Sequence, residues 1–123
     1  MAHTDSTKSM TFQAHDAGGQ VYNVLLRVEE PAASGTLALT PEAGATQQYT
    51  LTQMQKSRDG KTLQCHTGAA TATLTIEDSY TPPRLHLVAR IFFPVVDATY
   101  TLSQAEQERL VAWVNTLNLR ALS

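Results

Sequence analysis

Cys65-His66 is the pair in this chain whose residue types come nearest to a thiol nucleophile with its base, or to two ligands of one metal ion. Either chemistry needs both side chains on one side of the backbone. Neighbours in a strand point to opposite faces, so a strand here sends Cys65 into the core and His66 to the surface. The pair then reads as a buried structural cysteine beside a surface histidine. His3, His15 and His86 add none of the close spacings of zinc ligands. His66 and His86 can share an outer face, but they meet only if their strands are neighbours. Gly-x-Ser-x-Gly, a phosphate-binding Gly-rich loop ending in Lys-Ser/Thr, and His-Glu-x-x-His are all missing from the sequence. No catalytic set, metal or cofactor is expected.

Two surface patterns carry the binding chemistry that remains. Lys56, Arg58 and Lys61 surround Asp59-Gly60. Three cations at a tight turn can hold a phosphate or an acidic partner, although turns also carry charge simply because they face water. Thr62, His66, Thr71, Thr73 and Thr75 fall on one face of a strand pair. β-propensity alone explains such threonines, and a sheet face with so little charge is also a contact surface for a partner or a second copy. Arg84 and Arg90 with Glu77 and Asp78 suit exposed ion pairs, which need no function.

The elements that position these residues start from an ordinary composition. The 123 residues are 42% hydrophobic and 16% charged, as in a folded single domain. A net charge of −2 gives no footing for nucleic acid. The single cysteine leaves no partner for an internal disulfide. No apolar leader and no apolar run of spanning length occurs. A cytoplasmic location is expected, and a trimmed secreted domain would carry the same signature.

Along the chain, residues 1–8 read as a polar tail and 9–123 as one domain. Met10, Phe12 and Ala14 alternate with polar residues. A loop at Ala17-Gly18-Gly19 pairs them with Leu26, Val24 and Tyr22. A turn at Pro31–Ser34 places Val28 opposite Leu37 and Leu26 opposite Leu39. Asp59-Gly60 predicts a type I′ hairpin that sets Lys56 opposite Leu63 and Met54 opposite Cys65, and Gly68-Ala69 predicts a II′ turn that sets Cys65 opposite Ala72. Tyr49 and Leu51 then fall outside, which calls for a β-bulge near Gln53 or a change of partner. Arg84–Phe93 is apolar on both faces, so the helix or a Val95–Tyr100 linker is expected to cover Val88 and Phe92, with Pro94 ending the strand. Ser103–Leu119 is the one helix, opened by a Ser103/Glu106 capping box, with Trp113 as core anchor among Leu110, Val114 and Leu117.

The sum is mainly β: a six- to seven-stranded antiparallel meander, closed into a barrel or roll, with one C-terminal amphipathic helix. This architecture is similar to pleckstrin-homology-like and PilZ-like barrels. It lacks the PilZ Arg-x-x-x-Arg and Asp/Asn-x-Ser-x-x-Gly stretches, since Pro31-Ala32-Ala33-Ser34-Gly35 has the wrong spacing. It also lacks a basic first hairpin of the phosphoinositide-binding kind, that turn being Asp16-Ala17-Gly18-Gly19. The leading functional expectation is a non-catalytic binding or interaction module using the threonine face. The alternatives are a receptor for a small anionic molecule, such as a nucleotide or lipid headgroup, at the barrel mouth or the 56–61 hairpin, and a small enzyme whose site no motif marks.

Overall fold

The computed structural model describes residues 6–122. Eight strands run as an antiparallel meander: β1 (Ser6–His15), β2 (Val21–Glu30), β3 (Ser34–Pro41), β4 (Gln47–Lys56), β5 (Thr62–Thr67), β6 (Ala70–Glu77), β7 (Arg84–Arg90) and β8 (Pro94–Thr101). The ring closes where β1 meets β8, and α1 (Gln104–Asn115) and the short β9 (Arg120–Ala121) follow. This is a closed barrel of eight strands, one or two more than the sequence predicts. Of the expected tail, residues 6–8 belong to β1, and residues 1–5 lie outside the described residues.

Alternation fixes the inner face. Met10, Phe12, Val24, Leu26, Leu37, Leu39, Met54, Leu63, Cys65, Leu74, Ile76, Leu85 and Leu87 are all buried. The β1–β2 register is the predicted one, with Phe12 opposite Val24. So is the β5–β6 register, with Cys65 opposite Ala72. The β2–β3 register is displaced by two residues: Val28 faces Gly35 and Leu26 faces Leu37. The four-residue connection is Glu30–Ala33 rather than Pro31–Ser34, with Ala33 in the left-handed region at φ 58° and its N–H bonded to the Glu29 carbonyl. A shift of two keeps every side chain on its face, so the core is unaffected.

The Asp59-Gly60 hairpin keeps its predicted register beside the turn, with Lys56 opposite Leu63, but loses the expected Met54–Cys65 pair to a bulge and does not have the predicted turn type. The Gly60 N–H donates to the Ser57 carbonyl, and only Gly60 has positive φ, so this is a four-residue loop and not a type I′ turn. The bulge expected near Gln53 is present between Thr52 and Gln55, with Gln53 at φ 52°. It brings Leu51 into the core.

Two expectations at the C-terminal end are overturned. Pro94 opens β8 instead of merely ending a strand, and the expected 95–100 linker is a full strand paired to β7. A proline at the first position of a strand forfeits no interior ladder bond. Secondly, no described residue covers Phe92. The ladder shifts between Ala89 and Arg90 and the chain reverses over 91–93, leaving Ile91, Phe92 and Phe93 exposed at 53, 95 and 68%.

The helix lies along the free edge of β1. β1 and β8 share only the His15–Thr101 pair, so β1 presents unpaired backbone groups beyond it. Glu106 accepts from the Gln13 N–H at 2.8 Å, and Arg109 donates to the Thr11 carbonyl at 3.4 Å. Half of the capping box forms: the Ser103 hydroxyl accepts from the Glu106 N–H at 3.1 Å. The Glu106 carboxylate goes to β1 and Arg109 rather than back to Ser103. The helix stops at Asn115, four residues before its predicted end. There the Asn115 side chain folds back onto the Val111 carbonyl and the chain turns to run parallel to β4 as β9. Leu110, Val114 and Leu117 are buried against the barrel end, while Trp113 is only half-buried. Among the described residues no helix is long and apolar enough to cross a membrane.

Candidate functional site

The predicted cation cluster is largely engaged in holding the fold. Lys56 donates to the carbonyls of Leu117, Asn115 and Val114 at 2.6, 3.2 and 3.3 Å. The helix has no basic residue in its own last turn, so Lys56 from β4 and Lys8 from β1, at 2.9 Å from the Thr116 carbonyl, supply the positive charge that a helix C-terminus favours. Lys61 pairs with Asp78 at 2.6 Å, which raises the Lys61 pKa and lowers that of Asp78. Arg58 is exposed at the tip. The three residues are neighbours, but two of the three charges already have partners.

The threonine face is formed as predicted. Thr62, Gln64, His66, Thr71, Thr73 and Thr75 project outward across β5 and β6, with Thr62 opposite Thr75 and His66 opposite Thr71. β6 separates β5 from β7, so His66 and His86 are not on adjacent strands. His86 has partners that the sequence reading missed. Its Nε2 lies 2.6 Å from Asp97 and its Nδ1 3.7 Å from Glu77. The sequence predicts a linker where β8 stands, so its pattern gives Asp97 no place near His86. This carboxylate–histidine–carboxylate line lies on the outer sheet face, and only its Asp97 reaches a cavity, at the rim of the one described below. Among the described residues no group of side chains is arranged to hold a metal ion. Cys65 is fully buried, burial pushes its thiol up to about 11, and His66 faces the other way. The thiol is therefore not a nucleophile at neutral pH.

The barrel mouth, the alternative ligand place expected from the sequence, leads into the interior. The helix fills the barrel end formed by the β2–β3, β4–β5 and β6–β7 connections. The opposite end, at the β3–β4, β5–β6 and β7–β8 connections, is open over a cavity of about 280 Å³. Its wall includes Leu37, Leu39, Leu51, Leu74 and Leu87, with Gln47, Thr67, Thr73 and Asp97 as polar members. Space exists because alanines stand on neighbouring strands of the wall: Ala72 is opposite Ala89, and Ala98 stands beside Leu87. Each alanine leaves unfilled the volume that a leucine would occupy.

Two tyrosines give this apolar chamber polar points. Tyr49 and Tyr100 line it, and neither hydroxyl has a hydrogen-bond partner among the described residues. Tyr100 packs edge-on against Tyr22, ring centroids 5.3 Å apart. Burial, then the phenols of Tyr22 and Tyr49 and the carboxylate of Asp16, raise the Tyr100 pKa, so it stays a neutral donor. Asp97, at the rim, is the one charged residue of the lining.

A second depression, about 540 Å³, lies on the outer surface beside the β4 bulge. It is larger but lined by Gln53, Gln55, Gln64, His66, Asn118 and Arg120 among others. Water satisfies amides of that kind well. It cannot satisfy leucine side chains, so the barrel cavity, with five of them in its lining, gains more from exchanging its solvent for an apolar ligand. No protein-family model, no curated protein and no solved structure matches the chain.

Proposed function

We propose that the barrel is a non-catalytic receptor for one small, largely apolar molecule, taken in at the open mouth and oriented by the hydroxyls of Tyr49 and Tyr100. The observation that carries this is the cavity of about 280 Å³ with its leucine and alanine wall. Eight strands give an interior just wide enough to be filled by side chains or to hold a small ligand. A 150 Å³ apolar cavity accepts benzene, so this one suits a molecule on the order of a dozen non-hydrogen atoms. The reading keeps the barrel mouth as the binding place and changes the ligand from anionic to neutral, because no cation lines the wall. The ligand reading is preferred to the interaction-module reading for a physical reason. The sheet face continues from the threonines into the Glu77–His86–Asp97 line, and it lacks the apolar centre that protein interfaces use.

The test is titration with 1-aminonaphthalene, a neutral apolar fluorophore of about the size the cavity suits, alongside thermal melting. Saturable one-to-one binding and a dose-dependent rise in melting temperature are expected. Ala89→Leu fills the chamber from β7 and is expected to weaken binding about tenfold or more, equivalent to about 1.4 kcal/mol, without lowering the melting temperature of the free protein. Equal binding by that folded variant would refute the site.

A further inference from the structure

We infer that the β7–β8 tip docks this protein on a lipid bilayer surface, with the barrel mouth turned toward the membrane. The tip carries Ile91, Phe92, Phe93 and Val95, exposed at 53, 95, 68 and 51%. Four adjacent apolar side chains held out at one turn are unlike the scattered apolar residues of an ordinary surface.

The distribution of charge at the two ends favours the same orientation. Around the helix end stand Lys8, Lys56, Arg58, Asp59, Lys61 and Asp78. At the mouth end the connections are Asp16-Ala17-Gly18-Gly19-Gln20, Glu42-Ala43-Gly44-Ala45-Thr46, Gly68-Ala69 and Ile91-Phe92-Phe93. Those fifteen residues contain two charges, Asp16 and Glu42, neither of them in the β7–β8 tip. A tip without charge loses little hydration when it approaches an apolar phase. Arg90, exposed just before the tip, can reach lipid phosphates while the rings go deeper.

Size and shape separate a membrane from a protein partner. An aromatic residue buries about 150–250 Å², so the whole tip offers on the order of 500 Å². A standard protein interface takes about 800 Å² from each partner. The tip is also convex, so a partner or second copy would need a matching pocket. A bilayer needs none, because acyl chains flow around whatever enters, and aromatic side chains favour the interface.

Flotation with vesicles of neutral phosphatidylcholine tests this. The wild-type protein is expected to float with the vesicles. Phe92→Ser/Phe93→Ser is expected to reduce the floating fraction about tenfold or more, from the two lost ring insertions. Its melting temperature should stay unchanged, since both rings are exposed. Phe92→Trp in a Trp113→Phe background adds a direct reading: its emission should shift to the blue on adding vesicles. The docking does not depend on the cavity, so Ala89→Leu is expected to float like the wild type even if ligand binding fails. The inference is overturned if the wild type stays below the vesicles, if the double serine variant floats equally, or if floating needs anionic lipid and vanishes in high salt. A dimer in light scattering that the serine variant dissolves, without flotation, would instead make a second copy the occupant.

Discussion

Gly35 needs its missing side chain for a reason unrelated to backbone freedom. A Cβ there would sit 1.9 Å from the Arg27 carbonyl oxygen and 2.9 Å from its carbon. These are backbone atoms of the paired strand and have nowhere to go. Gly35→Ala is therefore expected to cost about 3 kcal/mol, read as a lowered urea midpoint with an unchanged slope. The close approach belongs to the observed register, in which Gly35 faces Val28 and Leu51. The sequence reading set Gly35 opposite Glu30. Both registers place the same residues inside, so hydrophobic alternation could not choose between them. The inward position of Cys65 needed only strand parity and was legible from the start. The role of Lys56 was not, because residues near the turn say nothing about a helix terminus fifty-eight positions away in the chain.

At the scale of elements, α1 shows which parts of a helix are local. Its start was read from Ser103, and the Ser103 hydroxyl does accept from the Glu106 N–H. Its end was misplaced because the C-terminal carbonyls are satisfied from elsewhere, by Lys56 and Lys8. Lys56→Met is expected to destabilise the protein by about 1–2 kcal/mol, measured by chemical denaturation. Lys61→Met removes only a surface ion pair with Asp78 and should change stability by about 1 kcal/mol or less. If the two variants cost the same, Lys56 is not the helix cap described. β8 was the element missed, yet its pattern is plain once the strand is known. Val96, Ala98 and Tyr100 turn inward while Asp97 and Thr99 turn outward. Pro94 masked it, because a proline reads equally as the end of one strand and the first residue of the next.

The whole molecule depends on how the barrel is shut. The β1–β8 seam holds one residue pair, and the chain around the helix closes the rest. Glu30 at the end of β2 is buried, pairs with Lys8 at 3.1 Å and accepts from the Asn118 N–H beyond the helix. Burial by itself would raise the Glu30 pKa, but the Asn118 N–H and the Lys8 ammonium outweigh it and hold the group below its ordinary value of 4.5. A lowered folded-state pKa stabilises above the ordinary value and ceases to do so as pH falls through the folded one. The clamp should therefore be intact above about pH 4.5 and fade in more acid solution. Glu30→Gln is expected to lower the melting temperature at pH 7 and to flatten its fall below pH 4.5. Some slope should remain from Asp59 and Asp78, whose pKa values are also lowered. A variant that keeps the full acid slope would show that Glu30 is not the group that titrates.

The sequence by itself determined the antiparallel meander, the inner face of nearly every strand and the single C-terminal helix, and it narrowed the conflict near Gln53 to a bulge or a change of partner. These follow from alternation, turn chemistry and capping, all of which act over a few residues. Closure, the helix's seat on the edge of β1, the two lysines on its last carbonyls, the cavity and the bare Phe92 tip were decided by tertiary structure. Each depends on how far facing side chains fill a shared space, or on which unpaired backbone group lies nearby. Ala72 facing Ala89 becomes a wall of a chamber only when the ring is closed around it.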